Sequence, residues 1–231
     1  MRYDEAYLRY EEKNQYAYRD LELLALADIG LEEAAKPLFQ RAKAESRRPR
    51  VLDVGCATGA LLASLRERGW DPQGVEISKA QADYGEARHR LPIHAGNLES
   101  AAFPPGFFDL VHASHLIEHL NEPASFLEEV GRVLAPGGLL VLTTPNADGL
   151  QARLLGPRWR SAIYDHLYLF SKRNLRALLV AHGFKTGATV TWGGWAKGLR
   201  PAIIKRPMDI MAKRLGMGDV VAMLAKLARR A

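Results

Sequence analysis

Between Arg50 and Trp192, short apolar runs alternate with longer stretches of helical periodicity. The run Val51-Leu52-Asp53-Val54 ends on an acid, passes through the small-residue turn Gly55-Cys56-Ala57-Thr58-Gly59 and enters the helical pattern starting Ala60-Leu61-Leu62. An apolar run bounded by glycines and followed by a helix predicts a buried parallel strand with its crossover helix. Repetition of that unit predicts strands at 50–55, 72–77, 92–95, 107–113, 138–144 and 185–192, with helices at 59–68, 78–88, 123–134 and 171–182 between them. This is an α/β chain with a doubly wound, mostly parallel sheet and right-handed crossovers. Residues 1–45, rich in Glu, Leu, Ala and Tyr with no glycine before Gly30, predict two helices broken near Asp28-Ile29-Gly30-Leu31. They form an N-terminal helical cover, either packed passively or closing as a lid over a ligand.

The glycine turn is where a ligand sits. Gly55, Ala57 and Gly59 remove side chains at alternate positions, so backbone approaches closely, and the helix start offers free N–H groups. The spacing misses the G-x-G-x-x-G of dinucleotide sites, and no Gly-Lys-Ser/Thr phosphate cradle occurs. Asp53, directly before the loop, would repel a pyrophosphate but anchor the ammonium of an amino-acid moiety. Twenty-three positions later Glu76 ends the next strand, where a carboxylate takes both hydroxyls of a ribose. Asn97 ends a third, with an amide able to bond an adenine edge. A nucleoside carrying an amino acid fits this set.

The 231 residues suffice for one α/β domain with appendages. The single Cys56 excludes an internal disulfide, no run of 18 apolar residues offers a membrane span, and no leader pattern opens the chain, so a cytoplasmic protein is expected. The net charge of +6 suggests nucleic acid until it is located: from Lys197 onward nine Lys and Arg face two Asp, making that segment +7 and leaving −1 for the rest. Three segments follow, a cover at 1–45, a ligand-binding domain at 46–195 and a basic tail at 196–231, expected to be helical. Within the tail, Ile210–Leu215 and Val220–Arg230 are apolar with cationic ends, a composition that docks on the domain, docks on a second copy of the chain as a homodimer, or lies on an anionic membrane surface as a peripheral contact.

In order along the chain, L-D-V-G-C-A-T-G, G-V-E-I-S, G-N-L-E, F-F-D-L-V-H-A-S-H-L-I-E-H-L and L-A-P-G-G-L-L-V-L-T-T-P-N resemble the successive motifs of the class I S-adenosylmethionine-dependent methyltransferases. The resemblance covers about residues 50–190 and implies a Rossmann-like sheet of order 3-2-1-4-5-7-6, although nothing after Trp192 reads clearly as the family's antiparallel seventh strand. It implies S-adenosyl-L-methionine as cofactor, with Asp53, Gly55, Cys56, Ala57 and Gly59 at the methionine half, Glu76 and Ile77 at the ribose, Asn97 and Leu98 at the adenine, and Ala113 and Ser114 alongside. In motif style the chain is similar to the ubiquinone-biosynthesis O-methyltransferases, which act on small molecules. The implied acceptor is a hydroxylated, aromatic or lipid-linked compound.

Transfer from a sulfonium is an in-line displacement for which the protein supplies alignment, desolvation and, for a hydroxyl acceptor, a base. His112, His115, His119 and His166 lie on the acceptor side, and His115, His119 and His166 are the candidate catalytic groups. His115-Leu116-Ile117-Glu118-His119 also reads as H-x-x-E-H, a zinc-peptidase signature, but that motif needs a long helix and here Pro123 follows closely. By resemblance it corresponds to the E-x-x-E-H of the ubiquinone enzymes, which binds a divalent metal, with His115 in place of the first Glu; His115, Glu118 and His119 are then the candidate ligands. Without a metal, Glu118 and His119 brace the turn. The segment 153–170 resembles the insert that walls the acceptor pocket, with Trp159, Tyr164 and Tyr168 suited to a planar acceptor. Two other classes remain. One is an RNA methyltransferase gripping phosphates with its tail, against which stands the absence of an RNA-binding motif; the other is a non-catalytic module, against which stand Asp53 and Glu76.

Overall fold

The computed structural model describes residues 5–193 and 212–228. Helices α1 (Glu5–Asp28) and α2 (Leu31–Ala44) precede β1 (Arg50–Val54), α3 (Ala60–Glu67), β2 (Asp71–Glu76), α4 (Lys79–His89) and β3 (Ile93–Ala95). The second half runs β4 (Phe108–Ser114), α5 (Pro123–Val133), β5 (Leu134–Pro145), α6 (Leu150–Leu155), α7 (Lys172–Ala181), β6 (Phe184–Trp192) and β7 (Val220–Leu227). The strands form one sheet of order β3-β2-β1-β4-β5-β7-β6. Pairings among β1 to β5 are parallel, and β7 runs antiparallel to both its neighbours. The helices sort to two faces, with α2, α3 and α4 and the end of α1 over one apolar cluster and α5 and α7 over the other.

The strand β7 corrects the expected helical tail. Val-Val-Ala-Met-Leu-Ala-Lys-Leu is buried at every position but Lys226, because β5 and β6 flank it and helices cover both faces. A strand in that position has no polar face, so its residues carry no period-2 alternation, and Ala, Met and Leu favour helix when read locally. The sheet thereby removes Val220–Leu227 from the segments available to a membrane. Most of the remaining tail, including Ile210 and Met211, lies outside the described residues. Among the described residues no helix is long and apolar enough to cross a membrane.

The end of the sheet away from the strand tips is fastened by charge. Asp109, fully buried on β4, accepts from Arg41 of α2, from Arg47 Nη1 (2.5 Å) and from the backbone N–H of Arg50 (2.8 Å). Burial raises the carboxyl's pKa, yet these donors outweigh it and hold Asp109 below its ordinary value. The connector 46–50 and α2 are thus pinned at the opposite end from the strand tips where a ligand binds.

Candidate functional site

A cavity of about 1120 Å³ opens beyond the carboxyl ends of the parallel strands. Its floor is the glycine turn. Gly55 (φ 78°) donates to Val75 O (2.8 Å), Ala57 also takes a positive φ of 47°, and Gly59 (φ 73°) starts α3. Ala57 N–H donates to Glu76 Oε2 (2.9 Å) and Ser78 N–H to Glu76 Oε1 (2.8 Å), so the β2 carboxylate is held against the loop. Burial raises the Glu76 pKa and the two backbone donors do not fully offset it. Asn97 is fixed by reciprocal bonds with Ser100, its Oδ1 accepting from Ser100 N–H (2.8 Å) and its own N–H donating to Ser100 Oγ (3.1 Å).

Of the expected cofactor contacts, Asp53, Gly55, Cys56, Ala57, Glu76, Ile77, Asn97, Leu98 and Ser114 line the cavity. Gly59 and Ala113 do not. Gly59 shapes the turn, with Leu91 and Ile93 behind it, and Ala113 points into the core. Residues 113 and 114 fall on opposite faces because side chains alternate along a strand.

The wall above this floor comes from α1. Gln15 Nε2 donates to Tyr84 Oη (3.1 Å), and Gln15 Oε1 accepts from Thr58 Oγ1 (3.3 Å). Glu22 Oε1 accepts from Ser114 Oγ (2.6 Å). His112, fully enclosed, donates from Nδ1 to Asp53 Oδ1 (2.7 Å) and faces Glu22 Oε2 with Nε2 (3.4 Å). Burial alone would discharge this imidazole; the flanking carboxylates of Asp53 and Glu22 outweigh it and push the pKa up to about 10. The contributions of Glu11, Gln15, Tyr18 and Glu22 to the wall were not anticipated. Their spacing of 4, 3 and 4 along a helix is the signal: a polar stripe on one face of a segment otherwise buried by Leu26 and Ile29.

The opposite end holds the histidines. His115 sits at φ 50°, a strained conformation for a residue with a side chain, with its N–H on Thr143 O (2.9 Å). Its Nδ1 donates to Glu118 Oε1 (3.2 Å), and Glu118, fully buried, accepts at Oε2 from Thr144 Oγ1 (2.9 Å). Burial disfavours the His115 imidazolium, but the Glu118 carboxylate outweighs it and raises the pKa. The His115 side chain is 47% exposed, and that exposure is to the cavity.

His119 and His166 form a second pair, rings in edge contact at 4.7 Å. Each donates Nδ1–H to a carbonyl, His119 to Asp165 (2.8 Å) and His166 to Ser161 (2.7 Å), which leaves both Nε2 atoms as lone-pair acceptors. Glu118, His119 and His166 bring ligand atoms within 4.8 Å of one another. Two members of the metal set expected from sequence, Glu118 and His119, are in this group, with His166 in the place expected of His115. Glu118 and His119 lie on a single 3-10 turn (Ile117–His119) and not on an α-helix, so His115 turns onto Glu118 while the insert delivers His166. Carbonyl-anchored imidazoles with a carboxylate suit a divalent transition metal or zinc better than magnesium.

The insert's aromatics depart from expectation. Trp159 is buried with its N–H on Asp219 Oδ1 (2.6 Å), Tyr164 is almost fully exposed, and Tyr168 donates to Asn121 O (3.2 Å); none lines the cavity. Arg160, Ser161 and His166 line it instead. Arg160 Nε donates to Asp219 Oδ2 (2.5 Å), so this carboxylate at the start of β7 folds the insert over the cavity.

Residues 18–188 match the family described as "Methyltransferase domain". The chain belongs to the S-adenosylmethionine-dependent methyltransferases. Over 109 residues it is 34% identical to a ubiquinone biosynthesis O-methyltransferase of Psychrobacter cryohalolentis, a match covering 42% of this chain and 41% of that protein. The chain thus spans less than half the length of the curated relatives it matches. Its fold is shared with a SAM-dependent methyltransferase from Archaeoglobus fulgidus (TM-score 0.66, 20% identity, 96% of this chain and all of that one). The same holds for a geranyl diphosphate C-methyltransferase from Streptomyces coelicolor A3(2), solved with Mg²⁺, geranyl diphosphate and S-adenosyl-L-homocysteine (TM-score 0.58, 18% identity, 78% and 74% covered).

The methyltransferase cofactor fits what is present. Asp53, Glu22 and Glu76 offer carboxylates to a ligand bearing an ammonium, a sulfonium and a ribose diol, and the side-chain-free turn leaves room against the floor.

Proposed function

We propose that this methyltransferase moves the methyl of S-adenosylmethionine to an oxygen of a small hydroxylated acceptor, aromatic or lipid-linked, with His115 as the base. The observation that carries the reading is the line Thr144–Glu118–His115. A buried carboxylate is oriented by a threonine hydroxyl and in turn fixes the imidazole, whose Nε2 side is open to the cavity. Orientation of a base by a buried acid is the arrangement that proton removal from a hydroxyl needs, because the acceptor's pKa, about 10 for a phenol, lies far above neutrality. Glu118 and Thr144 are positioning residues. Asp53, Glu76, Asn97 and the 55–57 turn bind and orient the cofactor, and α1 excludes water. The name of the Psychrobacter relative supports oxygen as the methylated atom.

Calorimetry with the cofactor, then mass spectrometry of methylated products from a panel of catechols and polyprenylated phenols, tests this. His115→Ala is expected to lower turnover by about 10²-fold or more while leaving cofactor affinity within about twofold. Wild-type turnover in that variant retires His115 as the base.

The convergence of Glu118, His119 and His166 supports a second reading, in which these three hold a divalent metal that would polarise an acceptor hydroxyl. Turnover that survives exhaustive chelation, in protein shown to be free of metal, rejects it.

A further inference from the structure

Glu22 carries an ionised carboxylate into the wall of the cofactor cavity from an element outside the sheet. Its Oε1 is satisfied by Ser114, while Oε2 is buried without a hydrogen-bond partner and faces the His112 imidazole at 3.4 Å, a ring already committed through Nδ1 to Asp53. Two carboxylates therefore face one imidazole at this end of the cavity. Gln15, two helical turns earlier on the same face of α1, bonds neutral groups, Thr58, Tyr84 and the Glu12 carbonyl. The two pins lie about 10 Å apart along the helix axis, Gln15 over the glycine turn and Glu22 over the tip of β4.

The chemistry of the reaction gives that asymmetry a use. Donor and product share the ribose, base, ammonium and carboxylate, and they differ by the methyl and one positive charge, because the sulfonium becomes a neutral thioether. A neutral pin holds both alike. A carboxylate beside the sulfur favours the charged form.

We propose that Glu22 is the cover helix's counter-charge for the sulfonium and makes the closed site prefer the methyl donor over the demethylated product. The inference rests on the cofactor reading above. Charge pairing is strongest while the donor is intact, so transfer itself weakens the hold of α1 and favours product release.

The test is isothermal titration of the full chain with S-adenosylmethionine and, separately, S-adenosylhomocysteine, for wild type, Glu22→Gln and Gln15→Ala. Glu22→Gln keeps a side-chain oxygen for Ser114 and removes the charge. It is expected to weaken donor binding by about tenfold or more and product binding by no more than about twofold. Gln15→Ala, which loosens the cover without changing charge, is expected to weaken both ligands by a common factor. If Glu22→Gln weakens both ligands equally, or neither, the counter-charge assignment is overturned. If wild type binds neither ligand, the cofactor reading itself fails, an outcome distinct from the first.

Discussion

The two ends of the cavity are built in different ways. At the cofactor end, Asp53, Gly55, Ala57 and Glu76 fall within a span of 24 residues, and Ala57 reaches Glu76 across 19 positions. At the acceptor end, Trp159 reaches Asp219 across 60 positions, His119 reaches Asp165 across 46, and the β6–β7 entry is tied by Gly218 N–H to Thr191 Oγ1 across 27. The floor of one end is a local motif whose parts are positioned by two adjacent strands, with α1 added above it through Gln15 and Glu22. The other exists only once the insert, β6 and β7 have come together. A local site tolerates change elsewhere in the chain; an assembled one inherits the stability of everything that holds it.

The largest expected effect attacks the assembly. A Cβ on Gly218 would lie 2.5 Å from Trp192 N and 2.7 Å from Trp192 O. Those are backbone atoms at the end of β6, so relief requires β7 to shift against its partner. Gly218→Ala is expected to lose roughly 3 kcal/mol of stability in urea unfolding, at the upper end of overpacking costs, and to abolish turnover before cofactor binding in the folded fraction changes. A loss below about 1 kcal/mol would show that the β6–β7 junction yields, and the contrast between the two ends would weaken.

Next in size are the strand-tip acids. Asp53→Ala and Glu76→Ala are each expected to weaken cofactor binding by about 1–3 kcal/mol, the range for a lost hydrogen bond to a charged group, measured per folded molecule because Asp53 also partners the buried His112. Unchanged affinity in both variants removes the ribose and methionine assignments together, and with them the claim that the cofactor end is a local motif.

The same division explains what the sequence reveals. The parallel strands and their crossover helices are legible because each unit carries its own signals, an apolar run, a glycine turn and a 3.6-residue period, and because Asp53 and Glu76 interrupt apolar runs where packing alone asks for no charge. β7 is illegible because its neighbours, not its own pattern, decide its conformation: the run that becomes the strand reads locally as an amphipathic helix with a cationic end. The histidine cluster is half legible. His115, Glu118 and His119 are contiguous and visible, but the approach of His166 to His119 depends on carbonyls of Ser161 and Asp165 far along the chain. Glu22 and Gln15 are hidden differently, as polar residues on a helix where polar residues normally face water.

The smallest effect separates the ends most finely. Thr144 is fully buried at the tip of β5, and its hydroxyl donates to Glu118 Oε2, the oxygen that His115 does not use. Thr144→Val keeps the branched shape and removes that donor, leaving a buried carboxylate oxygen unpaired at a cost of about 1 kcal/mol or slightly more. Since Glu118 acts on the acceptor only through His115, the loss should appear in kcat as a drop of about fivefold, with KM for the acceptor and affinity for the cofactor nearly unchanged. A structural role alone would lower the unfolding midpoint and leave kcat per folded molecule intact. An effect on cofactor affinity as large as that on kcat would mean that the two ends are mechanically coupled through the β4–β5 tips, and the division between local motif and assembled site would have to be redrawn there.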